Sequence, residues 1–311
     1  MVVMSKIVVE LVRGVIGFVN KSLIKNLIII TLSILLVFVQ LFFPFQYYSS
    51  AQQNGAVGFQ VGIHYVYEQD KLEEIYGQVA RISNLGFKAI RITLECNLDE
   101  YNDLQNQKID ALLSATDAFD IAVALVIKNL DSVEKVDYYL YRWGSHLEYI
   151  QVMNEPESSS TWSVGAIFTD DEIISNFNRL YSAVTAHNLD AQLYTNFGVG
   201  YMLRSNVPIK LSQYLDFVGF DVFMDSFLVL SPHFIQNLNK ITGKDVIITE
   251  FGMSTSDDRS QSDYLIRGLN LYKNMGLKGC WLVYWNSEFD NYEIRGRLAE
   301  SAVGEWIVKN A

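Results

Sequence analysis

From Val57 to the last residue, short apolar runs alternate with stretches of helical periodicity, and the pair recurs eight times. The strand-length runs begin near Val57, Phe87, Ile121, Tyr149, Gln192, Leu215, Val246 and Gly279. They are apolar almost throughout, as strands covered on both faces must be. Leu72, Ile75, Val79, Ile82 and Leu85 mark one face of the first helical stretch, and Gly86 supplies its stop. Thr169 to Glu172 (TDDE) is a capping box, and it opens a helix with Ile173, Phe177, Leu180 and Val184 inward. Ser231-Pro232 opens a further helix, which Gly243 ends.

Eight strand–helix units in 255 residues have the size and order of an α/β (βα)8 TIM barrel. The rival is a doubly wound open sheet. A dinucleotide-binding sheet of that kind needs G-x-G-x-x-G after its first strand, where this chain has His64-Tyr65-Val66-Tyr67. The barrel is therefore expected over residues 57–311, preceded by one N-terminal hydrophobic segment, either a signal or a transmembrane helix.

That segment, LIIITLSILLVFVQLFF (Leu27 to Phe43), runs 17 residues without a charge. This is the lower edge of the length that spans a bilayer. Lys6, Arg13, Lys21 and Lys25 precede it and no charge follows until Glu68, so the positive-inside bias leaves the N-terminus in the cytoplasm and sends the rest outward. The expected division is a basic cytoplasmic N-terminus (1–26), the apolar segment (27–45), a linker (46–56) and the barrel domain (57–311). Ser49-Ser50-Ala51 offers small residues for a signal peptidase. A cleaved signal and a retained anchor both fit, so the barrel is expected to be extracellular, secreted or held at the outer face of the membrane.

Of 24 basic and 35 acidic residues, four and one lie before residue 52, which leaves the body 20 against 34, a formal charge of -14. Such a surface repels nucleic acid and anionic headgroups. The membrane is thus expected as a partner only through the N-terminal segment. Cys96 and Cys280 are the only cysteines. They fall at opposite ends of barrel strands, too far apart to bridge.

In a barrel, chemistry sits at the C-terminal ends of the strands. Polar residues there are few: His64, then Arg91 and Glu95, Lys128 and Asn129, Asn154 and Glu155, Asn196, Asp221, Glu250, and finally Trp285. Glu155 ends the fourth strand in IQVMNEP and Glu250 ends the seventh in VIITEFG. Two carboxyls facing across one rim are the minimum equipment for cutting a glycosidic bond. Arg91 beside Glu250 would hold it ionised, while Glu155, feeling that charge, would keep its proton. An indole such as Trp285 suits the apolar face of a pyranose. Four histidines without H-x-H spacing leave no expected metal site and no cofactor. The segments GMSTS and NSEFD lack a glycine-rich phosphate loop.

With these residues in view, the chain from about Val57 to Ala311 resembles the clan A retaining glycoside hydrolases, and most closely the cellulase-like family 5 group. The matching stretches are GFKAIRI with Arg91, QVMNEP, ITEFG 95 residues beyond Glu155, and the tryptophan of VYWN. The resemblance implies that Asn154 contacts a sugar 2-hydroxyl, Glu155 is the acid/base and Glu250 the nucleophile. Trp285, His64 and Asp221 join as substrate-binding positions. It implies a β-linked polysaccharide or oligosaccharide as partner and a double displacement as the reaction. Transglycosylation on the same residues, and a barrel that binds glycans without cutting them, are the alternatives. Family 5 members commonly end the sixth strand with His-x-Tyr, where GFDVF here has Asp221 and Phe223. The usual strand 3 histidine is absent too. Tyr201 or Tyr284 is a candidate for the missing hydroxyl, and Trp162 for an outer sugar platform.

Overall fold

The computed structural model describes residues 59–94, 103–158, 168–202, 204–223, 232–287 and 291–310. The apolar segment from Leu27 to Phe43, and with it Glu95, Cys96 and Trp162, lies outside the described residues. Among the described residues no helix is long and apolar enough to cross a membrane.

Eight parallel strands close into a barrel in chain order: β1 Gln60–His64, β2 Ala89–Thr93, β3 Ala122–Ile127, β4 Tyr149–Val152, β5 Gln192–Gly198, β6 Phe217–Phe223, β7 Asp245–Gly252 and β8 Gly279–Leu282, with β8 pairing back onto β1. Around them run α1 Leu72–Asn84, α2 Asp103–Phe119, α3 Val133–Trp143, α4 Asp170–Ala186, α7 Pro232–Thr242, α8 Asp258–Asn274 and α9 Leu298–Asn310. The β5–β6 connection departs from the expected single helix and is made by two short ones, α5 Val199–Met202 and α6 Val207–Ser212. Gly86 and Gly243 stop their helices with φ of +89° and +67°, a backbone region glycine enters without steric cost. The TDDE box forms as read: the Thr169 side chain accepts from the Glu172 amide, and Glu172 accepts from the Thr169 amide at 2.8 Å. The last helix is tied to the first by Arg81, whose guanidinium meets both oxygens of Glu300 at 2.5 and 2.6 Å.

Successive strand residues point to opposite faces, so the barrel interior is filled in steps of two. The lower step is apolar: Ala89, Ala124, Tyr194, Phe217, Ile247 and Trp281 form one buried cluster. Gly62 belongs to this level, where a Cβ would stand 2.5 Å from the Trp281 ring. Further along, several inward positions turn polar, while Val126 and Val283 stay apolar. Ala89 gives way to Arg91, Tyr149 to Gln151, Tyr194 to Asn196, Gly219 to Asp221 and Ile247 to Thr249, and these five polar side chains are buried. The outward positions of the strands meet the helices in the main hydrophobic core. Cys280 is buried there, with its thiol pKa pushed up by burial. The barrel thus carries a polar layer over an apolar plug, at the C-terminal end of the strands.

Candidate active site

Regular strand geometry would not turn both glutamates inward, and both strands break it. After β4 the chain takes φ of +71° at Met153 and +37° at Glu155. A left-handed backbone costs a residue with a Cβ roughly 1–2 kcal/mol, so something must hold this turn. Asn129, at the end of β3, does so with its side-chain amide. Its Nδ2 donates to the Asn154 carbonyl at 2.9 Å and its Oδ1 accepts from the Asn154 amide at 2.8 Å. Gln151 Nε2 donates to the Met153 carbonyl at 3.1 Å, and the Glu155 amide donates to Asn196 Oδ1 at 3.0 Å. The irregular turn leaves these backbone groups paired, as burial demands. On β7 the register against β6 slips so that Ile248 pairs with Phe220 while Glu250 pairs with Asp221. The extra residue is Thr249, and this bulge brings Glu250 to the inner face behind it.

The result is three acids at one place: Glu155, Asp221 and Glu250 each bring an oxygen within 4.8 Å of the other two. Arg91 is the buried cation beside them. Its Nη2 lies 2.8 Å from Glu250 Oε1 and donates to Asn154 Oδ1 at 2.7 Å, and its Nε donates to Gln151 Oε1 at 2.9 Å. Burial works against its charge, but Glu250, Tyr194, Asp221 and Tyr284 together more than offset this and hold the guanidinium protonated. Because Arg91 supplies positive charge inside the cluster, we read the three acids as a protonation site rather than a metal site.

The amide orientations follow from the network. Asn196 Oδ1 accepts the Glu155 amide, so its Nδ2 is the donor to Asp221 Oδ2 at 2.7 Å. Asn154 Oδ1 receives Arg91 Nη2, Gln151 Nε2 at 2.8 Å and Asn196 Nδ2 at 3.1 Å. The NH2 of Asn154 is therefore the end left for a ligand. Gly219 makes this closeness possible: a Cβ there would stand 2.5 Å from Thr249 Cγ2 and 3.2 Å from Asn196 Cβ.

Charge in the site is unevenly shared. The Glu155 pKa is pushed up to about 8, first by burial and then by the charges of Glu250 and Glu157, with Asp221 and Arg91 acting the other way. Asp221 is driven well above the ordinary carboxylate range by burial, then by Glu250 and Glu155. Burial also pushes Glu157 up to about 7, although the Gly198 amide donates to it. His64 is held well below its usual value by burial, Arg91 and Lys128, and so is neutral. Its Nδ1 faces Arg91 Nη1 at 3.3 Å, which leaves the ring proton on Nε2, toward Thr93.

Of the expected site residues, Glu155, Glu250, Asn154, Arg91, Asp221 and His64 come together. Trp285 does not join them. It is 0% exposed, its indole N–H donates to Gln78 of α1 at 3.0 Å, and the Arg81 guanidinium lies 5.5 Å from its ring centre. The expected sugar floor is thus corrected to a core tryptophan sealing β8 against α1; three residues beyond the end of β8, it no longer follows the inward face. Tyr284 instead packs on His64, with ring centres 5.1 Å apart. Tyr201 donates to Asp170 at 2.7 Å, so its hydroxyl is committed away from the acids. Phe223 packs edge-on to Tyr292. The network partners Gln151, Thr249 and Gly219 do not stand out in the sequence. A lone amide between Ile150 and Val152 in a buried strand was the one available signal, since a polar group there needs partners.

A (βα)8 barrel with opposed carboxyls and a buried arginine at its C-terminal rim is thus the class defined by fold and site. No protein-family model and no curated protein sequence matches the chain. Solved structures share the barrel. The endo-beta-1,4-mannanase from Thermotoga petrophila matches with a TM-score of 0.60 at 12% identity, over 82% of this chain and 77% of that one. The endo-1,4-beta-mannanase from Rhizomucor miehei matches with a TM-score of 0.61 at 11% identity, over 81% and 95%. The beta-glucosidase from Thermotoga maritima matches with a TM-score of 0.59 at 12% identity, over 82% and 98%. At such identities the likeness is one of fold: this chain has the barrel that these glycoside hydrolases have, in keeping with the cellulase-like clan A resemblance.

Proposed function

We propose that the protein is a retaining β-glycosidase, exported by its N-terminal segment and acting on a β-linked polysaccharide or oligosaccharide. The observation that carries this reading is the approach of Glu155 and Glu250 within 4.8 Å while their surroundings differ. Carboxyls about 5–5.5 Å apart suit a covalent glycosyl-enzyme, whereas inversion leaves room for water at about 6.5–9.5 Å. Glu250, paired with Arg91 at 2.8 Å, is the nucleophile. Glu155, pushed up to about 8, still holds its proton at neutral pH and gives it to the leaving oxygen. It then takes a proton from the water that opens the intermediate. Asn154 offers its free NH2 to the hydroxyl next to the anomeric carbon. The mannanases and the beta-glucosidase among the matching structures support a β-linked glycan as substrate.

Substituting Glu250→Ala should abolish turnover on a panel of β-glucans, mannans, xylans and activated aryl glycosides. Azide should restore cleavage of the activated glycosides in that variant, with a glycosyl azide of inverted anomeric configuration. Intact hydrolysis in the Glu250→Ala protein would overturn the assignment.

A further inference from the structure

The barrel has a second mouth. At the N-terminal end of the strands, on the far side of the apolar plug from the acids, lies an open cavity of about 300 Å³. Its floor is closed by Phe217, Ile247 and Trp281, which are buried members of the plug. Tyr149 is only half-buried and stands as a wall beside them, its ring centre 5.6 Å from Trp281 and 6.0 Å from Phe217. Gly279 lines the mouth where no side chain fits, since a Cβ there would stand 2.9 Å from the Gln60 carbonyl oxygen. Polar groups ring this floor: Gln60, Gln192, Asp245, Lys278 and the Tyr149 hydroxyl. Among the described residues, none of these side chains makes a hydrogen bond or an ion pair. Lys278 thus shares one opening with two carboxylates, Asp216 and Asp245, and pairs with neither. Asp216 is held in place by the Leu193 amide, which donates to its Oδ2 at 2.7 Å.

We propose that this lower mouth is a second carbohydrate-binding site, which takes one neutral sugar ring and does not cut it. A concave site with an aromatic and apolar floor and a few convergent polar groups is the usual form of a small-molecule site. The polar groups select the ligand. Each sugar hydroxyl both donates and accepts, so a ring of hydroxyls meets amides, a phenol, a carboxylate and an ammonium together. The C–H face of a pyranose lies against the Tyr149 ring, whose body is apolar and whose edge carries the hydroxyl. An anion would face Asp216 and Asp245 with one lysine to offset them, and an organic cation would meet Lys278. A hydrocarbon would take water from the polar ring and offer no hydrogen bond in return. The plug of Tyr194, Phe217 and Trp281 separates the bound ring from Glu155 and Glu250, so no chemistry reaches it. That the ring is a unit of the substrate glycan rests on the glycosidase reading; the site itself does not.

Fluorine NMR of the full chain carrying fluorotryptophan reads this mouth separately from the cleft, because Trp281 lies in its floor. The Trp281 signal, assigned with Trp281→Phe, is followed as methyl β-glucoside, methyl β-mannoside or methyl β-xyloside is added. At least one of the three should shift that signal in a saturable way. The triple variant Tyr149→Phe, Gln192→Ala and Lys278→Ala keeps the aromatic wall and changes two residues exposed at the strand starts, so the fold survives while three polar contacts are lost. Its Trp281 titration should need about tenfold more sugar or worse. A Trp281 signal that none of the three sugars moves, or a titration the variant leaves unchanged, overturns the proposal. So does a shift produced by sodium phosphate or glycine and by none of the sugars. A protein that hydrolyses no glycoside, with the Trp281 titration intact, would sink the proposed function and keep this site. Hydrolysis with a silent Trp281 signal would do the reverse.

Discussion

Gly219→Ala is the substitution whose effect can be worked most directly from the coordinates. The new Cβ would stand 2.5 Å from Thr249 Cγ2 and 2.8 Å from Thr249 Oγ1, with Asn196 Cβ at 3.2 Å. Carbon atoms prefer about 3.5–4.0 Å, so Thr249 must retreat by about 1 Å inside a closed barrel. Overpacking of this kind costs roughly 1–3 kcal/mol. Moving Thr249 also stretches its bond to Asp221, 2.8 Å in the native site, and a hydrogen bond is worth about 0.5–1.5 kcal/mol net. The total is roughly 2–4 kcal/mol, or about 5–15 °C in Tm for a barrel of this size. Calorimetric unfolding of the parent, Gly219→Ala, Thr249→Ser and the double variant is the assay. Thr249→Ser removes the methyl that clashes and keeps the hydroxyl, so the double variant should regain at least about 1 kcal/mol over the sum of the singles. A Gly219→Ala protein melting within about 1 °C of the parent, or strict additivity in the double variant, would refute the close packing of Gly219, Thr249 and Asn196 beneath the acids.

The remaining predictions follow from burial and charge. Trp285→Ala should cost about 3–5 kcal/mol of stability by opening the β8–α1 seam, with KM for oligosaccharides little changed in the folded fraction. A tenfold rise in KM with an unaltered Tm would return Trp285 to the substrate cleft. Glu157, pushed up to about 7, keeps its proton in the folded protein where the unfolded chain has released it, so its contribution to stability declines as pH rises from about 4.3 toward that value. In Glu157→Gln that decline is absent. The Tm of the variant relative to the parent should therefore rise between about pH 5 and pH 8, and a gap independent of pH would contradict the buried protonated carboxyl.

Much of the barrel was legible in the chain because its cause is repetitive. Strands covered on both faces are written as apolar runs, amphipathic helices carry a 3.6-residue stripe, and helix ends carry local chemistry such as TDDE, Gly86 and Gly243. Each signal needs only neighbours in sequence. The β5–β6 connection escaped because two short helices, Val199–Met202 and Val207–Ser212, offer too few turns for a periodic stripe. The site was half legible. Glu155, Glu250, Asn154 and Arg91 stand at strand ends, and strand ends share one rim in any barrel. The left-handed turn at Met153 and Glu155 that sets Asn154 and Glu155 in place, and the bulge at Thr249 that brings Glu250 inward, have no sequence signature. Trp285 shows the same limit from the other side. An indole suits a sugar face or a helix seam equally, and only the placement of Gln78 and Arg81, some two hundred residues away in the chain, decided for the seam. Asp221 could be named from its position, but its closeness to Glu155 and Glu250 depends on separate strands being brought side by side. The order and kind of the elements are local properties of the chain. Which carboxyls stand together is a property of distances that exist only once the barrel has closed.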